Sequence, residues 1–529
     1  MDPVRSYHER SKHRKDRYAP GPGYLDWASQ PDPFRRYADA PTLDLTLLAR
    51  ELPVSWDDLF GTARLPAQAM TADGVASLLQ LSLGLSAWKR YGGNRWALRC
   101  NPSSGNLHPT EGYLICPALP GLPAGVHHYR PDRHCLEQRC AAPLDWSGGV
   151  LLALTGIHWR EAWKYGMRAF RYCQHDCGHA LAAISYAAAT LGWPARVLAD
   201  WGDEDVAALT GVARRSDFAD AEAEEPEVLV WIGPGVAPAA KEVLALLADA
   251  QWTGRANTLS PSHRDWPDIP VVAAATRKPA GISAPTSVQA APLPLLSPVS
   301  SAPASQLIRC RRSAQSFDGV TAISAQSFFR MLDALLPRAG QPPWSLADEV
   351  PCVHPVLFVH RVDGVAPGIY CLPRTPAALA ELRAAMRPDW LWARVPGCPE
   401  HLPLTLLAPL DVRGFAASAS CDQDIAADSA FALAMLARFD DIGPARPWLY
   451  RRRFWEAGLI GQVLYLEAEA AGVQGTGIGC YFDDAVHDAL GLDITRFQDL
   501  YHFTVGKAVV DARLGSEAAY AHLAGRTER

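Results

Sequence analysis

Apolar residues recur along this chain in two successive blocks, and each block alternates between helical and strand-like spacing. In the first block, Val75–Ser86 carries apolar residues at helical spacing, whereas Val150–Leu154 is a short continuous apolar run typical of a buried strand. Tyr172–Gly192 contains the strongest helical run, and Gly192 followed by Pro194 predicts where that helix ends. This block therefore predicts a domain that mixes helices and strands.

The second block repeats the order of the first. A helix predicted at Ala325–Leu335 precedes a strand at Val356–His360, and a long helix at Phe454–Ala471 again ends at a glycine. The segment Gly364–Tyr370 parallels Gly121–Tyr129 of the first block. A repeat of this length predicts duplicated domains rather than a solenoid, and duplicated domains can pack through a dimer-like interface.

Composition divides the chain into four parts. Residues 1–42 are rich in Pro, Gly, Trp and charge, and we expect an extended arm. A first domain is expected over 43–259, a linker rich in Pro, Ala and Ser over 260–305, and a second domain over 306–529. The total of 529 residues is too long for one ordinary core, which agrees with two large domains.

The charge and hydropathy of the chain exclude several classes of protein. The hydrophobic content of 49% and the charged content of 20% are those of a soluble globular protein, and a net charge of −6 does not indicate a nucleic-acid partner. No apolar run reaches the roughly 18 residues that a membrane span needs, and the basic segment Met1–Tyr18 lacks the apolar core of a secretory signal. We therefore expect a cytoplasmic protein with no membrane partner.

The 12 cysteines contain no Cys-x-x-Cys pair. Cys173 and Cys177 lie four residues apart with His175 and His179 beside them, which raises the question of a zinc site. The surrounding stretch is apolar and predicts a core helix, so we favour reduced buried thiols and expect no metal.

Two motifs carry candidate chemistry, one in each block. Arg99–Pro109 reads Arg-Cys-Asn-Pro-Ser-Ser-Gly-Asn-Leu-His-Pro, and Arg309–Phe317 reads Arg-Cys-Arg-Arg-Ser-Ala-Gln-Ser-Phe. Arg311 and Arg312 with Ser313 suit a phosphate, because guanidinium groups stay charged and offer forked donors. The alternative is a solvated basic run followed by a capping serine.

In their order along the chain, these motifs resemble those of the nitroreductase superfamily, closest to the SagB-type branch that includes azoline dehydrogenases. The matching motifs are Asn101–Pro109, Lys164–Tyr172, Cys177–His179, Arg311–Ser313, Trp455–Gly458 and Gly475–Gly479. The resemblance implies an α+β fold of two tandem FMN-dependent nitroreductase-like domains. Each domain would be a mixed sheet flanked by helices, and the pair would form an intrachain pseudo-dimer.

Each domain departs from the family pattern in a different place. The first has no Arg-Arg-Ser start, and its glycine turn is replaced by Gly192–Arg196. The second has no Pro-Ser-Ser-Gly-Asn loop, and there Asp348 and Glu349 would lie unfavourably beside a phosphate. The resemblance therefore implies one FMN per chain, shared between the domains. The implied cofactor-binding residues are Ser103, Ser104, Asn106, Arg311, Arg312, Ser313, Gln315, Gly477, Ile478, Gly479, Lys507 and Arg513.

Lys164 and Tyr165 resemble the catalytic pair of the azoline dehydrogenases. Oxidation of a substrate C–H and N–H needs a base for the proton, and a lysine with lowered pKa or a tyrosine can serve. The alternative is a solvated lysine beside a packing tyrosine. The equivalent Tyr450 and Arg451 would face the degenerate second site.

The resemblance implies an FMN-dependent oxidoreductase that transfers hydride through the flavin N5 to or from a small organic or peptide substrate, with NAD(P)H as a candidate reductant. Two alternatives stay open: azoline oxidation in peptide maturation, and a flavin- or ligand-binding pseudoenzyme. His108 and His179 are either polar groups near the flavin or structural histidines. The sequence leaves monomer and higher oligomer open.

Overall fold

The computed structural model describes residues 2–61, 65–286 and 293–523. Its strands fall into two large sheets and two small ones. In chain order they are β1 (Tyr37–Ala38), β2 (Thr42–Asp44), β3 (Leu85–Tyr91), β4 (Asn94–Arg99), β5 (Thr110–Cys116), β6 (Gly125–Arg130), β7 (Cys135–Ala141), β8 (Val150–Gly156), β9 (Ala195–Val197), β10 (Glu225–Ile232), β11 (Arg255–Ala256), β12 (Val353–Val359), β13 (Gly368–Cys371), β14 (Ala393–Arg394), β15 (Thr405–Pro409), β16 (Phe431–Arg438), β17 (Gln474–Ile478), β18 (Phe497–Gly506) and β19 (Gly515–Ala518).

The α-helices include two long ones of 22 residues each, which lie at the centre of the molecule. In chain order the helices are α1 (Pro3–Arg10), α2 (Ala72–Ser82), α3 (His158–Tyr165), α4 (Ala169–Thr190), α5 (Asp203–Thr210), α6 (Ala240–Ala248), α7 (Asp268–Ala275), α8 (Ala304–Cys310), α9 (Ala325–Asp333), α10 (Pro376–Ala385), α11 (Arg413–Ala419), α12 (Asp424–Asp428), α13 (Leu449–Ala470) and α14 (Ala485–Leu490).

The two large sheets have seven strands each and repeat the same topology in six of them. The edge strand differs, because β2 precedes all other strands of its sheet in the chain, whereas β14 lies between β13 and β15. The first has the order β2-β7-β6-β5-β8-β10-β9, and the second has the order β14-β15-β13-β12-β16-β18-β17. Strand β5 therefore corresponds to β12, β8 to β16, and β9 to β17. Within the described residues all strand pairings in both sheets are antiparallel, which differs from the mixed sheet that the family resemblance implies. The connections through helices are long enough to return the chain in either direction, so periodicity alone does not fix strand direction.

The two halves meet where α4 crosses α13. A Cβ placed on Gly178 would lie 2.2 Å from the carbonyl oxygen of Trp455, and one on Gly458 would lie 2.3 Å from that of His175. Each helix therefore needs a glycine where the other helix's backbone approaches. These reciprocal contacts make Asp176 and Glu456, each two residues before its glycine, equivalent positions in the two halves.

Segments outside the two sheets also connect the halves. In the expected arm, α1 buries Tyr7 and His8, and the Tyr7 hydroxyl donates to the carbonyl of Met167 at 2.7 Å. The expected linker contains α7, which packs beside α1. At the other end of the chain, β19 pairs with β3 of the first half, so the C-terminal segment crosses to the opposite half.

Candidate active site

A cavity of about 280 Å³ lies at the junction of the two halves. Both halves line it with polar, aromatic and glycine residues. The first half contributes Pro102, Ser103, Ser104, Gly105, Tyr165, Tyr172, Asp176 and His179, and the second contributes Ser313, Gln423, Tyr465, Thr476, Gly477, Ile478, Gly479, Cys480 and Tyr501. The cavity therefore lies between two segments. One is the loop between β4 and β5 that carries Ser103 and Ser104, the serine loop; the other is β17 with the adjoining Gly479, the glycine strand.

The serine loop between β4 and β5 turns through left-handed backbone at Gly105 (φ 58°) and Asn106 (φ 60°). The Asn106 side chain donates to the carbonyl of Ala97 at 2.8 Å, so it holds the loop rather than facing the cavity. A Cβ on Gly105 would lie 2.6 Å from Tyr165 Oη and 3.1 Å from Lys164 Nζ. Gly105 is therefore the residue that allows the Lys164–Tyr165 pair to approach the loop.

The same loop rests on a buried carboxylate of α4. Ser104 donates its backbone N–H and its hydroxyl to Asp176 Oδ1, each at 3.1 Å. Burial nevertheless raises the pKa of Asp176 to about 7, because desolvation of the charged form outweighs these hydrogen bonds. Burial and the nearby charge of Asp176 also raise the pKa of Glu161, which Ser103 contacts at 3.5 Å. The cavity wall therefore contains a carboxyl group that can hold or release a proton near neutral pH.

Aromatic side chains and one histidine form the rest of the first-half wall. The rings of Tyr165 and Tyr172 meet edge to face with centroids 4.5 Å apart. His179 Nε2 lies 3.2 Å from Tyr501 Oη and its Nδ1 lies 3.3 Å from Gln462 Oε1. Burial lowers the pKa of His179 to about 3, so this histidine is neutral and acts as a polar group of fixed orientation.

The glycine strand β17 forms the opposite wall. The backbone N–H of Gly477 donates to Tyr465 Oη at 3.0 Å, and Ser313 Oγ lies 2.8 Å from the same oxygen. A Cβ on Gly477 would lie 1.9 Å from Tyr501 Oη, and one on Gly479 would lie 2.2 Å from Tyr172 Cε1. Tyrosines from both halves thus pack directly on the glycines, and Ile478 between them is buried.

Arg311 lies buried behind this wall. Its Nη2 donates to the carbonyl of Arg99 at 3.1 Å, and its guanidinium lies 4.8 Å from the centre of the Tyr465 ring. Its Nε and Nη1 are buried and have no hydrogen-bond partner among the described residues. Burial lowers the pKa of Arg311, and two unsatisfied N–H groups on a buried cation form a donor set that suits an anion.

Arg312 has a different environment from Arg311. Its guanidinium donates to three backbone carbonyls, those of Arg309 and Arg311 at 2.7 Å and that of Ser86 at 2.9 Å. Because Ser86 belongs to β3 of the first half, Arg312 connects the halves through backbone contacts.

Three other predicted cofactor-binding residues lie away from the cavity lining. Gln315 and Arg513 line a separate open depression, and the Arg513 guanidinium is paired with Asp511 at 2.7 Å. Lys507 is exposed, and its Nζ lies 3.4 Å from the carbonyl of Gly472. Of the predicted site residues, the structure brings together in the cavity lining Ser103, Ser104, Tyr165, Ser313, Gly477, Ile478 and Gly479. The others lie outside the lining: Asn106, Lys164, Arg311, Arg312, Gln315, Lys507 and Arg513.

The position equivalent to this cavity in the other half is filled by side chains. Glu456 accepts hydrogen bonds from the Arg374 guanidinium and, at 3.0 Å, from the N–H of Cys352. Trp344 covers that guanidinium with its ring centre 4.4 Å away. Glu349 pairs with Arg452 at 2.8 Å. A cavity of about 80 Å³ remains there.

The sequence places Tyr172 within a matching motif and makes His179 a polar candidate, but sequence reasoning missed Asp176, which lies between them in α4. The three residues follow i, i+4, i+7 spacing, which places them on one face of the helix. This spacing was the available signal for Asp176. Within the described residues, no group of three or more His, Cys, Asp or Glu residues is placed to hold a metal ion. No helix in those parts of the chain is long and apolar enough to cross a membrane.

Comparison with known proteins identifies the fold. No protein-family model matches the sequence, and no curated protein matches it. A solved structure from Anabaena variabilis, assigned as a nitroreductase, matches with a TM-score of 0.71 at 20% identity and covers 96% of this chain and 100% of its own. The chain therefore has the fold of that protein over nearly its whole length, which confirms the tandem nitroreductase resemblance at the level of the fold.

Two other solved structures match parts of the chain. An E. coli microcin synthetase complex with truncated pro-MccB17 bound matches at 19% identity with a TM-score of 0.27, covering 36% of this chain and 76% of that chain. An Exiguobacterium sibiricum protein assigned as a nitroreductase, in complex with FMN, matches at 15% identity with a TM-score of 0.22, covering 39% and 88%. Both scores are too low to carry a functional argument.

Proposed function

We propose that this chain is an FMN-dependent oxidoreductase whose two halves form an intrachain pseudo-dimer with one composite flavin site. When bound, FMN would supply a two-electron centre that takes or gives hydride at N5, and the protein would set its position and surroundings. The substrate is a small organic molecule or a peptide, and NAD(P)H is the candidate reductant. The observation that carries this proposal is the cavity between the halves, to which each half contributes a different part.

The residues around the cavity fit a flavin mononucleotide in charge and hydrogen bonding. Arg311 and Ser313 both contact Tyr465 of the cavity wall, and the two unsatisfied N–H groups of buried Arg311 would bind the phosphate together with the Ser313 hydroxyl. Ser103 and Ser104 would contact the cofactor from the first half. Arg312 would act through the backbone it holds. Gln315, Lys507 and Arg513 lie outside this set, so the phosphate site would use fewer cations than the sequence predicts.

The proton chemistry falls to the first half of the chain. With a pKa of about 7, Asp176 can give a proton to a reduced product or take one from a substrate at Oδ2. Lys164 and Tyr165 stand at the serine loop beside Gly105, where they would orient a substrate and exchange its second proton. Neutral His179 would hold Tyr501 in place against the glycine strand.

One site per chain follows from the difference between the two equivalent positions. In the second position, Arg374 and Trp344 occupy the space around Glu456, and the acidic Glu349 is committed to Arg452. A second flavin would have to displace a buried ion pair, which costs several kcal/mol by order of magnitude.

A flavin- or ligand-binding pseudoenzyme is the second candidate, and one contact favours it. The backbone N–H of Gly477, an implied cofactor-binding residue, already donates to Tyr465 Oη, so this donor of the glycine strand is not free for a flavin. In that case the cavity would bind a ligand smaller than the full isoalloxazine ring, without turnover.

The absorption spectrum of the purified protein, with released flavin counted per chain, tests the proposal. We expect a yellow protein with about one FMN per chain that NAD(P)H or dithionite bleaches without oxygen. Two FMN per chain would contradict the composite single site. No FMN after reconstitution would overturn the proposed function, and bound flavin that no nicotinamide or substrate turns over would favour the pseudoenzyme.

A further inference from the structure

Two cysteines meet at the edge of the cavity. Cys480 follows β17 and lines the cavity, and Cys421 follows α11. The two segments are joined by the bond from the N–H of Phe482 to the carbonyl of Ala419 at 2.8 Å. Gln423 Nε2 also donates to the carbonyl of Cys480 at 2.9 Å. Within this frame the thiols of Cys421 and Cys480 lie close enough for each to change the pKa of the other.

The surroundings make the two thiols chemically unequal. Interaction with the Cys421 thiol lowers the pKa of Cys480, and His13 and the positive charge of Arg168 lower it further. The same interaction, together with burial, raises the pKa of Cys421. Cys480 therefore carries the larger thiolate fraction of the pair, which suits an attacking cysteine, and Cys421 the smaller, which suits a resolving one.

Access and backbone conformation also distinguish this pair. Nine of the twelve cysteines are buried and Cys310 is exposed, whereas Cys421 and Cys480 are each partly accessible. Cys421 and Asp422 both have left-handed backbone with φ 56°, an arrangement uncommon for residues other than glycine. Strained backbone of this kind persists where the surrounding structure imposes it, and it concentrates at functional positions.

We propose that Cys421 and Cys480 form a redox-active dithiol that is oxidised by small-molecule disulfides and whose Cys480 lines the cavity. The Cys480 thiolate attacks one sulfur of the disulfide, forming a mixed disulfide and releasing one thiolate. The Cys421 thiol then loses its proton and attacks the Cys480 sulfur, releasing the second thiolate and forming the Cys421–Cys480 disulfide. In net terms the cysteine pair loses two electrons and the small disulfide gains them, yielding two small thiols that take one proton from Cys421 and one from solvent.

A consequence for the flavin rests on the proposed function. Because Cys480 lines the cavity, a reduced flavin there would return two electrons to the Cys421–Cys480 disulfide and regenerate the two thiols, taking up two protons. Each chain would then store four electrons, two on the flavin and two on the dithiol.

Thiol counting tests the pair without any flavin. In a Cys310→Ser background the reduced native protein is treated with oxidised glutathione, and reactive thiols are counted before and after. We expect two reactive thiols to fall to none, with a Cys421–Cys480 disulfide peptide in the digest and no retained glutathione. Cys421→Ser should instead retain glutathione on Cys480, because the resolving thiol is missing. Persistence of both thiols, or a stable glutathione adduct on Cys480 in the parent, would overturn the proposal.

Reductive titration then tests the exchange with flavin. The oxidised, FMN-loaded protein is titrated with dithionite without oxygen while the flavin absorbance is followed. We expect four electrons per chain for the parent and two for Cys480→Ser. An uptake of only two electrons per chain by parent protein that contains the disulfide would disprove electron exchange between the dithiol and the flavin. If no FMN binds, the proposed function fails, whereas the thiol count still decides the dithiol on its own.

Discussion

The backbone N–H of Ser104 bridges both carboxylate oxygens of Asp176, at 3.1 Å from Oδ1 and 3.2 Å from Oδ2. This contact joins the serine loop to the long helix of the first half. It also holds a buried carboxyl group in the cavity wall.

The free energy of unfolding should depend on the protonation of Asp176. Its pKa is about 7 in the folded protein against 3.8 as the reference, so the folded chain keeps a proton that the unfolded chain loses between these values. This contribution to stability is complete below pH 4 and is lost as the pH rises to 7. Between pH 4 and pH 8 the free energy of unfolding of Asp176→Asn should therefore fall less than that of the parent, and the difference should be on the order of 2–4 kcal/mol. Urea unfolding of both proteins measures this, and parallel pH profiles would refute it.

Arg311→Lys should weaken flavin binding without unfolding the chain. Lysine keeps the charge but loses the forked N–H donors, a loss of about 1–3 kcal/mol or roughly tenfold to a hundredfold in Kd. Fluorescence titration with FMN measures the affinity. Arg513→Ala is the matched control, because Arg513 is exposed and paired with Asp511. The FMN affinity of this variant should equal that of the parent. An equal loss of FMN affinity in both variants would instead mean that the exposed Arg513 binds the phosphate.

Lys164→Ala should leave flavin binding unchanged and slow turnover. The Lys164 ammonium lies 5.3 Å from the centre of the Tyr165 ring and beside Gly105, at the loop rather than at Arg311. Loss of a positioned proton-transfer group lowers kcat by about 10²–10⁴-fold. Flavin occupancy and single-turnover reoxidation of the reduced protein by an accepted substrate separate the two effects. An unchanged turnover rate in Lys164→Ala would mean that Lys164 is a solvated surface lysine without a role in proton transfer.

Gly178→Ala should destabilise the junction of the halves. The added Cβ would meet the Trp455 carbonyl oxygen at 2.2 Å, and neither helix can move without disturbing a packed core, so we expect a loss of about 2 kcal/mol or more. Gly414→Ala is the control, since its Cβ would meet nothing within 4 Å. Thermal unfolding should show a lower Tm for the first variant alone.

The pattern of apolar positions predicts the long helices and strands well, because the buried faces of these elements determine which positions are apolar. The helices expected at Tyr172–Gly192 and Phe454–Ala471 correspond to α4 and α13, and the strand expected at Val150–Leu154 lies inside β8. Strand direction was not determined in this way, since an apolar strand has the same composition in parallel and antiparallel sheets.

The site could be predicted only where local sequence determines position. The serine loop and the glycine strand are contiguous motifs, and both reach the cavity. Arg513 was predicted to bind the phosphate, but its guanidinium forms an ion pair with the nearby Asp511. The sequence motif does not show that Asp511 would compete with the phosphate for this guanidinium. Asp176 stayed hidden because its role arises from contact with Ser104, 72 positions away in the chain.

The pairing of β19 with β3 makes a sheet of the first half depend on a segment that follows the second large sheet in the chain. Strand β3 is the central strand of this three-stranded sheet, between β4 and Gly515–Ala518. Without β19, β3 would present an unpaired edge, the kind of surface on which chains associate with one another. Removal of β19 would therefore expose an open sheet edge on the first half, although no strand of its large sheet is lost.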